Sequence, residues 1–391
     1  MKLSHIDCFS GAGGICTGFR AVGINTKIAI EYVSSCVQTY KDNHPNVHVI
    51  LNDIRKVKTN EIKKILGNEH NQIDIVTSGM PCETFSTAGS TSRSFYDDRQ
   101  YLFQQGIRIA KATNAKIILF ENVTGIMSKT IAKGNKRLII DELYSNLRDA
   151  GYGNFIPVIL NASDFGVPQS RERFFVLAVN NKNWKLEEPT PFNKNKIITV
   201  KEALLDLPDV EINTGIEKKE YNKKDSDYSL LMKDEKFWKI KFNNILTYHM
   251  PPNHRSCTIE RFKLINPGEG LKDLFYKLDE KQIKNYQKNR ILPKKYYIQR
   301  NRRLQLNSIS PTVTSHCLDE LIHPIHDRAL TVRECARLQG FPDAYNFSGG
   351  PYIIPHLYHI QDKYEQIGDA VPPLLAYAWG KLIIKLLRKY Q

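Results

Sequence analysis

A cysteine that follows a strand-like run through a short loop has the placement of a nucleophile, and Cys82 is such a residue: Ile73 to Thr77 reads as a strand, then Gly79-Met80-Pro81-Cys82 opens onto the Ser/Thr/Gly-rich stretch Ser86 to Ser94. Loops at the carboxyl ends of strands are where α/β proteins place their chemistry, and a thiolate there attacks electron-poor carbon. An acid, Glu121, closes a second strand-like run, Lys116 to Phe120. Farther on, Gln169-Ser170-Arg171-Glu172-Arg173 projects two arginines from one side of an extended segment. Thiol, carboxyl acid and paired guanidinium groups together are the tools for activating a pyrimidine ring. Each has a plainer reading: a buried thiol, a loop carboxylate, a surface ion pair.

A ligand for the same crevice is suggested at the N-terminus, where a strand around Ile6 runs into Asp7-Cys8-Phe9-Ser10-Gly11-Ala12-Gly13-Gly14 and then a helical pattern. Strand, glycine turn and helix start let a nucleotide-like molecule approach bare backbone N–H groups. A second strand, Lys27 to Ile30, ends at Glu31, about twenty residues past the glycines, where such units meet ribose hydroxyls. A tight turn with a surface acid is the alternative. No lysine follows the glycines as a phosphate loop requires, so an adenosine with few or no phosphates fits, and S-adenosyl-L-methionine answers that description.

The elements that must hold these groups alternate. Helical spacing over Gln100 to Thr113 and at Leu138, Leu143 and Leu147 separates the strands above from Phe155 to Leu160 and Phe174 to Val179. Such alternation predicts a parallel sheet covered on both faces. After Asn180 the texture turns Asn-, Lys- and Pro-rich, and only Lys201 to Leu207 reads as a helix. A catalytic and cofactor-binding domain of 1–180 and 311–391, with a smaller domain at 181–310, is therefore expected. The basic run Lys281 to Arg303, interleaved with tyrosines and without an acidic residue, offers Lys294, Lys295, Arg300, Arg302 and Arg303 to phosphates or forms a solvated face.

The 391 residues carry a net charge of +15, which suits a polyanionic partner. The sequence has no run of about 18 apolar residues and enters a strand at once, so neither a membrane span nor a signal peptide is expected, and a cytoplasmic, nucleoid-associated monomer is. Seven widely spaced cysteines without a C-x-x-C pair disfavour a disulfide framework and a zinc site, and no metal is expected.

These motifs, in this order, resemble the DNA (cytosine-5) methyltransferase family. Asp7 to Gly14 is similar to its cofactor motif, Glu31 to its ribose acid, Asp53-Ile54 to its adenine contact, and Gly79 to Cys82 to its nucleophile loop. Arg328 to Asp343 resembles its long C-terminal motif, and Gln366 to Pro373 its last. The resemblance implies a Rossmann-like S-adenosylmethionine-dependent α/β fold with a mostly parallel sheet and a target-recognition domain. It implies Cys82, Glu121, Arg171 and Arg173 as catalytic residues. It also implies cofactor contacts at Phe9, Ser10, Gly11, Gly13, Gly14, Glu31, Tyr32, Asp53, Ile54, Gly79, Pro81, Leu102, Asp369 and Val371. Double-stranded DNA is the implied substrate, with Arg93 in a lid at Ser86 to Asp98, and a companion restriction endonuclease is the implied functional partner. Three residues depart from the pattern: Met80 replaces the usual Phe, Glu83 the usual Gln and Asp369 the usual Asn. A transfer-RNA cytosine methyltransferase of the same fold and a catalytically silent DNA-binding protein are the competing readings.

Overall fold

The computed structural model describes residues 3–67, 72–81, 98–131, 136–192, 197–353 and 360–390. Seven strands build one sheet: β1 (Ser4–Cys8), β2 (Asn25–Glu31), β3 (His48–Leu51), β4 (Ile75–Gly79), β5 (Ile117–Asn122), β6 (Asn154–Asn161) and β7 (Glu172–Val179). Their order is β3-β2-β1-β4-β5-β7-β6. The neighbours from β3 to β5 pair in parallel, and β7 runs antiparallel to both β5 and β6. The expected alternation breaks at β6, which reaches β7 through the short 3-10 turn Ala162–Phe165 rather than a helix. A hairpin-like return of that length permits only antiparallel pairing.

The strand period of two divides the core. Phe174, Val176 and Ala178 of β7 face one cluster, where helices α3 (Thr59–Leu66), α4 (Phe103–Ala112) and α5 (Ile139–Asp149) bring Ile62, Phe103, Ile107, Leu143 and Leu147. Phe175, Leu177 and Val179 face the other, with Phe19 of α1 (Gly14–Val22). Between α1 and α3 lies α2 (Ser34–Asn43).

The middle of the chain folds as short helices: α6 (Val200–Leu204), α7 (Asp227–Lys233), α8 (Glu235–Trp238), α9 (Ser256–Lys263), α10 (Leu271–Lys277) and α11 (Glu280–Lys288). Then come the strand pair β8 (Arg302–Arg303) and β9 (Leu321–Ile322), with α12 (Cys317–Glu320) between them. The expected unit 181–310 is divided by its packing. Trp184, Val200, Leu204, Tyr228, Trp238 and Leu246 belong to the sheet's own core. Phe262, Ile265, Leu271, Leu274 and Leu292 form a separate small core that gathers in Ile322.

The C-terminal part supplies α13 (Val332–Gln339), α14 (Lys363–Asp369) and α15 (Pro373–Tyr390). Helix α13 starts at a reciprocal cap. The Thr331 hydroxyl accepts from the Glu334 N–H at 3.2 Å, and Glu334 accepts from the Thr331 N–H at 2.8 Å. The same buried carboxylate takes both Nη groups of Arg328, at 2.8 and 2.7 Å. These bonds draw the Glu334 carboxyl far below the usual carboxylate range against the opposing effect of burial. The stretch Lys363–Tyr390, across α14 and α15, has the length and apolar content of a membrane span, yet Trp379, Ile383 and Leu387 within it are buried in the sheet core, as a core helix requires.

Candidate active site

Parallel pairing sets the carboxyl ends of β1, β2, β4 and β5 at one level: Cys8 lies beside Ile30 and Ser78, and Gly79 beside Glu121. Because β7 is reversed, its amino end arrives at the same edge, with Phe175 opposite Glu121 and Phe174 opposite Asn122. The strand reversal is therefore what delivers the arginine motif to the crevice. A cavity of about 990 Å³ opens there. Its wall brings together Phe9, Gly11, Glu31, Tyr32, Asp53, Ile54, Gly79, Pro81, Leu102, Glu121, Arg171, Arg173, Arg302 and Asp369. Residues separated by more than 300 positions thus share one space.

At the catalytic end, Arg173 Nε stands 3.2 Å from Glu121 Oε1, with both side chains nearly buried. Burial raises the Glu121 pKa, and Arg173 and then Arg171 oppose it. The carboxyl is thereby brought toward its proton-carrying form. Asn122, next to it, donates from Nδ2 to the Met80 carbonyl at 3.2 Å and accepts the Val123 N–H at 2.8 Å. It ties the start of the Pro81-Cys82 loop to β5. Met80 is itself buried in the sheet core. Cys82, Glu83, Arg93 and the expected lid up to residue 97 lie outside the described residues.

Arg171 has a different set of partners from Arg173. Its Nη1 donates to the Val313 carbonyl at 2.7 Å, and its Nη2 to those of Gly368 and Ala370 at 2.8 and 3.2 Å. It clamps the C-terminal motifs to the sheet edge.

At the other end, Glu31 ties the glycine turn down. Its Oε2 accepts the Gly11 N–H at 2.8 Å, and its Oε1 accepts those of Tyr32 and Val33 at 2.8 and 2.9 Å. Burial raises its pKa while these donors oppose the shift. Phe9 takes the left-handed backbone at φ 59°, a conformation that a bulky residue holds only under constraint. Asp53 is gripped by Arg55, with Nε at 3.0 Å from both carboxylate oxygens, and this pairing holds its pKa below the usual range. Asp369 accepts from Gln361 Nε2 at 2.8 Å.

Four expected cofactor residues stand elsewhere. A side chain at Gly13 would meet the Tyr345 hydroxyl at 2.7 Å, and one at Gly14 the Val371 carbonyl at 2.1 Å. Gly14 and Gly18, one turn apart, let α1 lie flush on the start of α15, so Gly14 and Val371 meet each other instead of lining the cavity. Ser10 is buried behind the turn, and its Oγ has no partner among the described residues.

Among the expected DNA contacts, Lys294, Lys295 and Arg300 are exposed and Arg302 reaches the cavity. Arg303 is turned inward. Its Nε donates to Ile265, Nη1 to His323 and His326, and Nη2 to Phe262 and Asp327, which uses all five of its N–H groups. None is left for a phosphate, so Arg303 braces the small core. The sequence resemblance takes in Asn122 only as part of the motif Glu121-Asn122-Val123, with no role of its own, and gives none to Thr312, Thr314, Ser315 and Glu320, which line the cavity. Asn122 was within reach because it adjoins the acid; the others carry no signal in their spacing.

Behind β1, Asp7 is buried, with Oδ1 accepting from the Thr77 hydroxyl at 2.6 Å. Burial, opposed by the Thr77 and Tyr40 hydroxyls and aided by the charge of Glu31, pushes its pKa up to about 7. A carboxyl raised in the folded state holds its proton more tightly there than in the unfolded chain. Stability is therefore lost as pH climbs from about 4 toward 7. Asp7→Asn keeps the acceptor for Thr77. Thermal unfolding should show the variant level with the parent at about pH 4 and more stable at about pH 8, by up to a few kcal/mol.

The chain belongs to the C-5 cytosine-specific DNA methylase family, which it matches over residues 3–385. It is an enzyme, a DNA (cytosine-5-)-methyltransferase, on the Rossmann-like fold of S-adenosylmethionine-dependent methyltransferases. It is 33% identical to the type II methyltransferase M.DdeI of Desulfomicrobium norvegicum over 97% of this chain and 88% of that protein. It is 30% identical to M.Eco47II of Escherichia coli over 98% of this chain and 79% of that one. A solved structure of a prophage-encoded DNA modification methyltransferase from E. coli superposes with a TM-score of 0.74 at 26% identity, covering 99% of this chain and all of that one. The S. pombe Dnmt2 methyltransferase shares the fold, with a TM-score of 0.54 at 18% identity over the full length of both chains.

Proposed function

We propose that the enzyme transfers a methyl group from S-adenosyl-L-methionine to C5 of a cytosine extruded from duplex DNA, through a covalent bond between Cys82 and C6. The observation that carries this reading is the Arg173–Glu121 pair, facing the cavity beside Met80 and Pro81 with its carboxyl shifted toward the protonated form. Extrusion is required because a stacked cytosine presents neither face of C6 to a thiol. The Cys82 thiolate adds to C6 while Glu121 gives a proton to N3, and C5 gains the electron density of an enamine. After C5 has taken the methyl group, a base removes the C5 proton, the C6–S bond breaks to return the thiolate, and N3 gives its proton back to Glu121. Arg173 holds the base's O2 and, by its fixed charge, the orientation of Glu121. Arg171 positions the segments around the site.

The cavity's donor set suits the cofactor: Glu31 for a ribose diol, Asp53 beside an adenine amino group, Phe9, Tyr32, Ile54 and Leu102 around the purine, and the open backbone at Gly11 and Gly79 for close approach. When bound, the cofactor supplies the methyl group as an electrophile. Asp369 adds a negative charge that suits its cationic groups. The names of the relatives point to a type II modification role, protecting DNA from a companion endonuclease or acting alone.

The recognition unit centres on the separate small core, with Lys294, Lys295, Arg300 and Arg302 meeting phosphates. Lys294→Gln with Lys295→Gln should weaken binding alike on all sequences and reduce the slope of log affinity against log salt by about 2. Arg303→Met should instead lower the melting temperature. An unchanged slope would make the lysines a solvated face.

A duplex with 5-fluorocytosine at the methylated position tests the chemistry. Fluorine blocks proton loss from C5, so protein and DNA should remain covalently joined in the presence of the cofactor. Methylated product without a trapped adduct would refute the Cys82–C6 bond.

A further inference from the structure

We infer that Tyr345, buried beneath the N-terminal glycine turn, sets the strength of cofactor binding by holding that turn in its open form. The role rests on the reading of the cavity as the S-adenosyl-L-methionine site, and it adds a positioning residue 333 places along the chain from the carbonyl it holds. The Tyr345 hydroxyl donates to the Ala12 carbonyl. Ala12 lies between Gly11 at φ 51° and Gly13 at φ 88°, and with Phe9 at φ 59° the left-handed conformation recurs at every second residue. Glycine takes either sign of φ at little cost, so Gly11 and Gly13 by themselves do little to keep the turn in this shape.

Hydrogen bonds must therefore hold it. At the entry, the Ser10 N–H donates to the Ile30 carbonyl at 3.2 Å and the Gly11 N–H to Glu31 as described. At the exit, the Gly13 N–H closes back on the Ser10 carbonyl at 3.0 Å, and the Thr17 hydroxyl donates to the Gly13 carbonyl at 2.7 Å. The carbonyl between these two ends is the one that Tyr345 takes. Gly11, the next residue back, lines the cavity with open space where a side chain would stand, so a rotation of the Ala12 peptide passes directly into the wall that the cofactor approaches.

Tyr345 is itself firmly placed. The Asn346 N–H donates to Asn43 Oδ1 at 2.9 Å, and Asn43 Nδ2 donates to the Asn346 carbonyl at 2.6 Å and the Thr39 carbonyl at 2.7 Å, which locks the segment to the end of α2. The Tyr345 ring packs on Phe341 and Phe347, with centroids 4.8 and 5.4 Å away. His44 Nε2 lies 3.4 Å from the hydroxyl. Burial pushes the phenol pKa up and the imidazole pKa well below its usual value, so the hydroxyl keeps its proton and its neighbour carries no charge. A donor fixed in this way holds the turn ready before the cofactor arrives, and binding then costs less ordering.

The test deletes the hydroxyl and keeps the ring, with Tyr345→Phe. Tyr228→Phe is the control, because the buried Tyr228 also donates to a main-chain carbonyl, that of Arg337 at 2.5 Å, but does not line the catalytic cavity. Calorimetric titration with S-adenosyl-L-homocysteine should show affinity lowered about fivefold in Tyr345→Phe and unchanged in Tyr228→Phe, while both variants lose a similar few degrees of melting temperature. On unmethylated plasmid, the KM of Tyr345→Phe for S-adenosyl-L-methionine should rise in step and its kcat should match the parent. Parent-like affinity in Tyr345→Phe, or an equal loss in both variants, would overturn the inference, the latter by making the effect one of general stability. If the intact enzyme bound no S-adenosyl-L-homocysteine, the cofactor reading itself would fall and this one with it.

Discussion

Cys82→Ala should bring methyl transfer down to background while cofactor affinity and melting temperature stay close to those of the parent. Cytosine C5 is a poor nucleophile until a group adds at C6, and no other side chain in the proposed scheme supplies that bond. The residues just before it face the site: the Met80 carbonyl is held by Asn122, Pro81 lines the cavity, and Glu121 and Arg173 face the same space. A thiol-to-methyl exchange leaves those contacts alone. Turnover by the variant within a factor of about ten of the parent, a loss too small for a missing covalent step, would assign the nucleophile elsewhere.

Arg337→Met should cost about 3–5 kcal/mol of stability, read as a fall of several degrees in melting temperature. Arg337 is wholly buried. Its Nη1 and Nη2 pair with both Asp206 oxygens at 3.0 and 2.9 Å, and its Nε and Nη2 with both Asp343 oxygens at 2.5 Å. Removing it leaves two buried carboxylates, one still held by Lys233 at 2.6 Å and the other 3.7 Å from Arg333. This network joins α6 to α13 and explains why residues 199–246 pack with the sheet core. Arg337→Lys keeps the charge but not the fork, and should lie between parent and Arg337→Met. Equal melting temperatures for all three would show that the network contributes nothing net.

The parts of the fold legible in the sequence are those written in local pattern. Strands ending in an acid, a glycine turn or a cysteine loop declared themselves because burial on both faces makes a continuous apolar run that stops abruptly. The helical positions Phe103, Ile107, Leu143 and Leu147 are buried where their spacing puts them. Strand β3 escaped because only Ile50 of its four residues is buried. The β6–β7 return escaped because a 3-10 turn of four residues has no period to detect.

The site was legible where one residue does one thing, and less so where a residue type has two uses. Gly11 and Gly14 belong to one glycine-rich motif, yet Gly11 lines the cavity and Gly14 makes room for Val371. Arg302 and Arg303 are adjacent and chemically identical. Only the alternation along β8 sends one to the cavity and the other into the small core. The middle segment, 181–310, was opaque because its helices are too short for a periodic signal to accumulate.

Methylation of cytosine at C5 in duplex DNA is the activity on which every residue role proposed above depends. Incubation of the purified enzyme with S-adenosyl-L-methionine and unmethylated plasmid, followed by base-resolution mapping of 5-methylcytosine, tests it most directly. Marks at one short sequence, absent with Cys82→Ala, are the expected result. Methyl groups on N4 of cytosine, or only on RNA offered in parallel, would contradict it.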